Sequence, residues 1–132
     1  MPTITNAQLA ITTDRPQDRA TVVVSCDIEF TEVEVNAMDL LGLQYSLHCQ
    51  VLNKDLFGED PVLSYHHRKF PRVPGEARRH EHVVFDTIVP MYTLNERLFG
   101  KDKLVAQLKL KNDETHEEVV RRTDAIAVDV SV

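Results

Sequence analysis

Two segments of this chain alternate apolar and polar residues with a period of two. Every second residue is apolar from Ala20 to Phe30, and the same alternation returns from Leu43 to Val51. Successive side chains of a β-strand point to opposite faces of its sheet, so each segment predicts a strand with one buried face and one wet face. Strands of this kind are typical of antiparallel sheets. The alternation therefore predicts an all-β protein.

Further alternating segments before and after these two predict additional strands. They lie at residues 3–12, 62–69, 80–89, 104–110 and 126–132. The phase of the alternation breaks at Thr31 and Glu32, where we expect a bulge or a new turn. Residues 70–79 hold two prolines and a glycine, so they are expected to join the two flanking strands as a loop.

A short helix is expected near residues 93–99. Thr93 and Glu96 have the spacing of a capping box, and Gly100 is a residue type that commonly follows the end of a helix. About seven strands and one crossover helix predict a two-sheet antiparallel sandwich. We expect an immunoglobulin-like or fibronectin-like Greek key, formed as a single domain by residues 1–132.

Composition narrows the function classes. The chain has a net charge of −6, which argues against nucleic acid as a partner. No apolar run reaches the roughly 20 residues that a membrane-spanning helix needs, so no membrane insertion is expected. The first residues show no signal peptide, which favours a cytoplasmic protein. Cys26 and Cys49 fall on the apolar sides of predicted strands, where they could pack as free thiols or form a disulfide.

The sequence lacks the motifs of common catalytic sites. It contains no GxSxG, HExxH, Walker or GxGxxG motif. A cysteine nucleophile needs an exposed thiol with a low pKa, and both cysteines are predicted to be buried. We therefore predict a noncatalytic protein without a cofactor.

Four of the six histidines lie in the stretch from Ser64 to His82. His80 and His82 are two residues apart and would share one face of a strand, and a hairpin would bring His66 or His67 opposite them. Three imidazoles on a sheet face could hold zinc or nickel, because histidine is a common neutral ligand of both ions. Metal binding by His66, His80 and His82 is therefore the alternative function, whereas solvated histidines at strand ends are the simpler interpretation.

Five basic residues stand in the same stretch of an otherwise acidic chain. They are Arg68, Lys69, Arg72, Arg78 and Arg79. A positive loop could contact an anion or an acidic protein, and a basic end on an acidic body also favours self-association. The simpler interpretation is a solvated loop that is balanced by acidic neighbours. A partner contact at these residues is the functional hypothesis.

The C-terminal segment AIAVDVSV is rich in β-branched residues and is predicted to lie at a sheet edge. An unpaired edge strand can add a strand from another chain. We place such pairing at Ala125, Ala127 and Asp129, which would face outward. Together these features predict a noncatalytic β-sandwich binding or assembly module. It would act through contact with a protein partner or with a second copy of itself as a homo-oligomer.

Overall fold

The computed structural model describes residues 1–55, 58–94 and 101–129. Within these ranges the chain forms nine strands, one α-helix and one 3-10 helix. The strands, numbered in chain order, are β1 Thr3–Asp14, β2 Arg19–Glu29, β3 Tyr45–Asp55, β4 Gly58–Ser64, β5 Arg68–Phe70, β6 His80–Pro90, β7 Lys101–Asn112, β8 Glu118–Arg122 and β9 Ile126–Asp129. The α-helix α1 spans Glu32–Leu41 and connects β2 to β3. None of the helices in the described ranges has the length and apolar character needed to cross a membrane.

The strands form two antiparallel sheets that share one core. A three-stranded sheet has the order β1-β2-β6. The six-stranded sheet has the order β4-β3-β7-β8, with β5 also paired to β3 and β9 also paired to β7. The prediction of an all-β protein with two antiparallel sheets is therefore confirmed.

The buried sides of the strands are those that the alternation predicts. The following core side chains are almost inaccessible to water: Val22, Val24, Ile28, Phe30, Leu47, Val51, Val83, Phe85, Leu104 and Leu108. Burial of a large apolar side chain contributes about 1.5–3 kcal/mol relative to its exposure. These residues come from both sheets, so the core is the layer between them.

Both cysteines lie in this core as free thiols. Their predicted burial is confirmed, and of the two alternatives the free thiols are found. Burial raises the pKa of Cys26 to about 11 and the pKa of Cys49 to about 12. Because the thiolate is the reactive form, neither side chain is a ready nucleophile at neutral pH.

A helix occupies the position where the phase break at Thr31 predicts a bulge or turn, so that prediction is wrong. The backbone N–H of Glu34 donates to Thr31 Oγ1 at 3.2 Å, and the backbone N–H of Thr31 donates to Glu34 Oε1 at 2.7 Å. This capping box begins α1, and Gly42, with a φ of 71°, ends it in the left-handed conformation. Val33 and Val35 lie on the helix, where the two-residue period no longer applies.

The expected hairpin between residues 62–69 and 80–89 does not form. The first of these segments is divided between β4 and β5, and both pair with β3 in the six-stranded sheet. The second segment is β6, which pairs with β2 in the three-stranded sheet. Alternation shows which side of a strand is buried, but both sheets present the same pattern to the core. It therefore cannot show which sheet a strand joins.

The short helix expected near residues 93–99 falls mostly outside the described residues. Met91–Leu94 form a 3-10 helix. The expected capping box also depends on Glu96, which lies outside the described residues.

Candidate binding face

The outer face of the six-stranded sheet carries polar side chains in facing rows. Three pairs stand opposite one another across β3 and β7: Ser46 with Lys111, His48 with Lys109, and Gln50 with Gln107. Residues directly opposite in an antiparallel pair have Cβ atoms about 4.5–5.5 Å apart, so the two side chains of each pair can contact one another. The intervening residues of both strands point into the core. Register and alternation together therefore assemble this polar surface.

An open cavity of about 340 Å³ lies on this face. Its lining residues come from four strands and from the residue after β4: His48, Cys49, Gln50, Ser64, Tyr65, Gln107, Lys109, Lys111 and Glu118. Most of the outward side chains among them are cations or neutral hydrogen-bonding groups. A concave surface with several convergent polar groups is a candidate ligand site.

Two more basic groups extend the cavity toward β5. Lys69 is in register with Ser46, and the ring centre of His67 lies 5.3 Å from that of His48. The basic groups of this surface share one side of the six-stranded sheet and are called the cationic face: His48, His67, Lys69, Lys109 and Lys111.

The imidazoles of the cationic face are in contact with one another. His66 stacks on His67 with ring centres 4.8 Å apart, and His67 in turn lies beside His48. The three rings therefore form one contiguous row.

The environment of His48 favours the neutral ring. Desolvation by neighbouring groups lowers the pKa of His48 below its ordinary value of 6.5, and the charge of His67 lowers it further. Asp113 acts in the opposite direction, whereas Lys109 and Lys111 add to the lowering. Protonation of His48 thus becomes more favourable if negative charge is brought to the two lysines.

Asp113 is held at one end of the cationic face by protein donors. Its carboxylate accepts a hydrogen bond from the Ser46 hydroxyl at 2.7 Å and another from the Lys69 ammonium at 2.8 Å. Burial acts to raise the pKa of Asp113, but these hydrogen bonds and the charges of Lys69 and Lys111 outweigh it, so the pKa lies below its ordinary value of 3.8. Lys69 is consequently the lysine of this face that is already neutralised by a close contact.

The other two lysines are more available to a ligand. Lys109 Nζ lies 3.8 Å from Glu118 Oε2, near the outer limit of an ion pair. Among the residues that the structure describes, no carboxylate lies within ion-pair distance of Lys111. The positive charge of the cavity is therefore concentrated on β7.

A different imidazole site lies on the outer face of the three-stranded sheet. His82 stands opposite Asp27 in the register of β2 with β6, and its Nδ1 lies 2.6 Å from Asp27 Oδ1. Asn6, at the register shift of β1 and with a φ of 53°, donates to Asp27 Oδ2 at 2.8 Å. The hydrogen bonds from Asn6 and His82 hold the pKa of Asp27 below its ordinary value. A carboxylate thus fixes the orientation of His82.

The predicted metal ligands are not brought together by a hairpin. His80 and His82 share the outer face of β6, whereas His66 lines a separate cavity of about 290 Å³ beside Phe85 and Thr87. In residues 1–55, 58–94 and 101–129, no group of three or more His, Cys, Asp or Glu side chains could hold a metal ion. Metal binding stays a prediction, with His80 and His82 as the pair that remains on one face.

Two of the predicted basic contact residues bind the free edge of β6. Arg68 donates to the carbonyl of Val84 at 2.9 Å, and Arg72 donates to the carbonyl of His82 at 2.8 Å. Arg68 also lies over the Phe85 ring, 4.9 Å from its centre. These guanidinium groups satisfy edge carbonyls and occupy the line along which another strand would pair. Their role in the structure is to connect the two sheets.

The other three basic contact residues have separate surroundings. Lys69 belongs to the cationic face, and Arg79 Nη2 lies 3.9 Å from Glu29 Oε1. Arg78 is exposed. A partner contact by all five residues stays a prediction, but only Lys69 adjoins the cavity on the six-stranded sheet.

The predicted strand-pairing segment lies at an edge of the six-stranded sheet. β8 and β9 pair with successive parts of β7, β8 along residues 107–111 and β9 along residues 101–104. Ala125 and Ala127 are exposed, and Asp129 is the last residue of the strand. An edge position is required for strand addition, which itself stays a prediction.

Sequence reasoning did not single out the residues of the cavity on β3 and β7. Alternation places His48 on the outer side of its strand, and it places Lys109 between two leucines of another predicted strand, whereas Lys111 follows the end of that strand. The alternation does not show that β3 pairs with β7. That pairing alone turns three isolated polar residues into one surface.

No protein-family model matches this sequence, and no curated protein matches it. Among solved structures, a Northeast Structural Genomics Consortium target designated SoR45 is 7% identical, with a TM-score of 0.41 over 96% of this chain and 84% of that one. A Bordetella pertussis protein with the provisional name ApaA is also 7% identical, with a TM-score of 0.40 over 97% of this chain and 92% of that one. At these scores neither structure bears on the function of this chain.

Proposed function

We propose that this chain is a noncatalytic β-sandwich binding module that acts through protein–protein contact. Its contact surface is the cationic face, and its partner presents an acidic, extended segment. The observation that carries the proposal is the cavity of about 340 Å³ lined by His48, Lys109 and Lys111 in a chain with a net charge of −6. A local positive surface on an acidic protein selects acidic partners and fixes where they dock.

The spacing of the two available lysines suits an extended peptide. Lys109 and Lys111 lie two residues apart on one face of β7, which separates their Cα atoms by about 6.8 Å. An extended segment with an acidic residue at every second position has the same spacing, so two of its carboxylates can meet the two ammonium groups. Gln50, Ser64 and Gln107 line the same cavity and can hydrogen-bond to the backbone of such a segment.

A short peptide that alternates glutamate and serine tests this proposal. Isothermal titration calorimetry at low ionic strength compares the wild type with Lys111→Gln. The substitution is expected to weaken binding by about five- to tenfold, because one charge-assisted contact is lost. Lys103→Gln is the matched control, since Lys103 is exposed on the same strand but outside the cavity lining, and it should change the affinity by less than about twofold. Failure of the wild type to bind, or an equal loss in both variants, contradicts the proposal.

We also propose that the strand order is that of an immunoglobulin-like sandwich. The three-stranded order β1-β2-β6 then corresponds to strands A, B and E, and the order β4-β3-β7-β8 corresponds to C′, C, F and G. The pairing of β2 with β6 in one sheet and of β3 with β7 in the other supports this assignment.

Metal binding by His80 and His82 is a second candidate function, favoured by the contact between His82 and Asp27 at 2.6 Å. A carboxylate on one ring nitrogen orients an imidazole and strengthens it as a ligand through the other nitrogen. Elemental analysis of untagged protein after exposure to zinc or nickel and dialysis tests it. Retained metal that is lost in His80→Ala supports the candidate, whereas metal-free protein contradicts it.

A further inference from the structure

We propose that the acidic segment binds the cationic face together with a proton, which is taken up by the imidazole of His48. Binding to the same face therefore strengthens as the pH falls from about 8 to about 6, the range in which histidine titrates. This inference rests on the proposed function and adds a mode of regulation to it.

The groups around His48 determine its response to a ligand. Its neighbours on β3, Ser46 and Gln50, carry no charge. The charged and titratable groups that face it come from the segment before β5, from β5, from β7, from the turn after β7 and from β8: His67, Lys69, Lys109, Lys111, Asp113 and Glu118.

The two carboxylates near His48 are engaged by other partners. Asp113 accepts hydrogen bonds from Ser46 and Lys69. Glu118 lies 3.8 Å from Lys109. Without a ligand, the positive charges that oppose protonation of His48 are therefore only partly balanced. An additional carboxylate in the cavity supplies the missing negative charge.

A ligand carboxylate near Lys109 and Lys111 changes the energy of protonation. The lysine charges oppose a proton on His48 in the empty cavity, and a bound carboxylate offsets them and attracts the imidazolium. Coupling between two binding events is reciprocal, so a ligand that favours the proton is itself favoured by the proton. The pH dependence of binding follows from this thermodynamic cycle without any movement of the backbone.

The contact between imidazoles limits the number of protons. His67 lies 5.3 Å from His48 and stacks on His66. The charge of His67 opposes a charge on His48, so each bound peptide is accompanied by at most about one proton. An uptake of one proton changes the affinity by at most about tenfold per pH unit, and less when the titration is incomplete.

Calorimetry with the glutamate–serine peptide tests the coupling. The affinity is measured at about pH 6 and about pH 8, where the glutamates remain ionised, and in two buffers of different ionisation enthalpy. For the wild type we expect about five- to tenfold tighter binding at the lower pH, with net proton uptake. His48→Gln is expected to reduce this affinity ratio to less than about twofold, because glutamine cannot titrate.

His80→Gln is the control for general effects of histidine titration. His80 lies on the outer face of the other sheet, so the affinity ratio of this variant should equal that of the wild type. Binding that depends on Lys111 but not on pH overturns the proton coupling and leaves the proposed function standing. A ratio that falls equally in His48→Gln and His80→Gln also overturns the coupling. Absence of binding at either pH overturns both proposals.

Discussion

Two histidines occupy equivalent positions on the two sheets but have opposite electrostatic surroundings. His82, on the outer face of the three-stranded sheet, stands opposite Asp27 and contacts its carboxylate at 2.6 Å. His48, on the outer face of the six-stranded sheet, stands opposite Lys109. The first ring has a carboxylate partner within the protein. The second ring has a cationic partner and therefore lacks a negative charge that a ligand can supply.

The two sites differ in the residue across the strand, which is an aspartate opposite His82 and a lysine opposite His48. Cross-strand neighbours are close enough for their charges to act directly on one another. The surface around each pair differs as well, since His48 and Lys109 line a cavity of about 340 Å³ together with Lys111. On the six-stranded sheet, the positive charges therefore line a cavity.

The largest expected effect comes from making the His48 site resemble the His82 site. Lys109→Asp places a carboxylate opposite His48, so the pKa of His48 should rise, because a lysine charge that lowers it is replaced by a negative one. Affinity for the glutamate–serine peptide should fall by about 30-fold, because one attraction is lost and one repulsion is added. NMR titration of the ring protons and calorimetry measure the two effects.

Lys103→Asp is the matched control for that substitution, because it introduces the same charge change at an exposed position of β7 outside the cavity lining. It should leave the pKa of His48 unchanged and weaken peptide binding by less than about threefold. A pKa of His48 that does not rise in Lys109→Asp would show that the residue across the strand is not decisive.

A smaller effect is expected from the contact that holds Asp113. Ser46→Ala removes the hydroxyl that donates to this carboxylate at 2.7 Å, and the free energy of unfolding should fall by about 1.5 kcal/mol at neutral pH. Ser64→Ala changes an exposed serine at the same cavity and should cost less than about 0.5 kcal/mol. Urea unfolding, followed by circular dichroism, measures both values.

The Ser46→Ala effect should depend on pH in a defined direction. The pKa of Asp113 in the folded protein lies below its ordinary value of 3.8. Stabilisation from the ionised carboxylate is thus fully present above that ordinary value and is lost as the pH falls through the lower, folded-state value. The difference between wild type and variant should shrink at about pH 2. An unchanged difference would contradict the assigned role of Asp113.

The smallest expected effect tests whether charge alone is sufficient. Asp27→Lys places an ammonium group opposite His82, as Lys109 stands opposite His48. Peptide affinity should rise by less than about twofold, because an isolated exposed charge contributes little. Calorimetry with the glutamate–serine peptide, at the ionic strength used for the wild type, gives the value. A gain of tenfold or more would show that the cavity on the six-stranded sheet is not needed for recognition.

Much of the fold could be predicted because it depends on local side-chain direction. The alternation in β2, β3 and β7 identified their buried sides, including the positions of both cysteines. The helix α1 was missed because Val33 and Val35 have the i, i+2 spacing of one strand face, whereas the capping box of Thr31 and Glu34 begins a helix there. The pairing partner of β6 was missed because alternation carries no information about which sheet a strand joins.

The candidate site was predictable only in parts. Alternation placed His48 on the wet side of its strand, and the positive charge of Lys69 was noted. Lys111 did not stand out because it follows the last apolar residue of the predicted strand at 104–110, at the start of the turn KNDETHEE. The partner contact predicted for Arg68 and Arg72 rests on their charge, which is visible in the sequence, whereas the carbonyls that they bind on β6 are not visible there.

By itself the sequence determined which side chains enter the core and which face water, because neighbouring residues of a strand must point in opposite directions. Only the tertiary structure decided that His48 faces Lys109 and that His82 faces Asp27. These pairs join residues that lie far apart in the chain, and their meeting depends on the hydrogen-bond register between whole strands. A shift of that register by one residue would bring different side chains together and remove both sites.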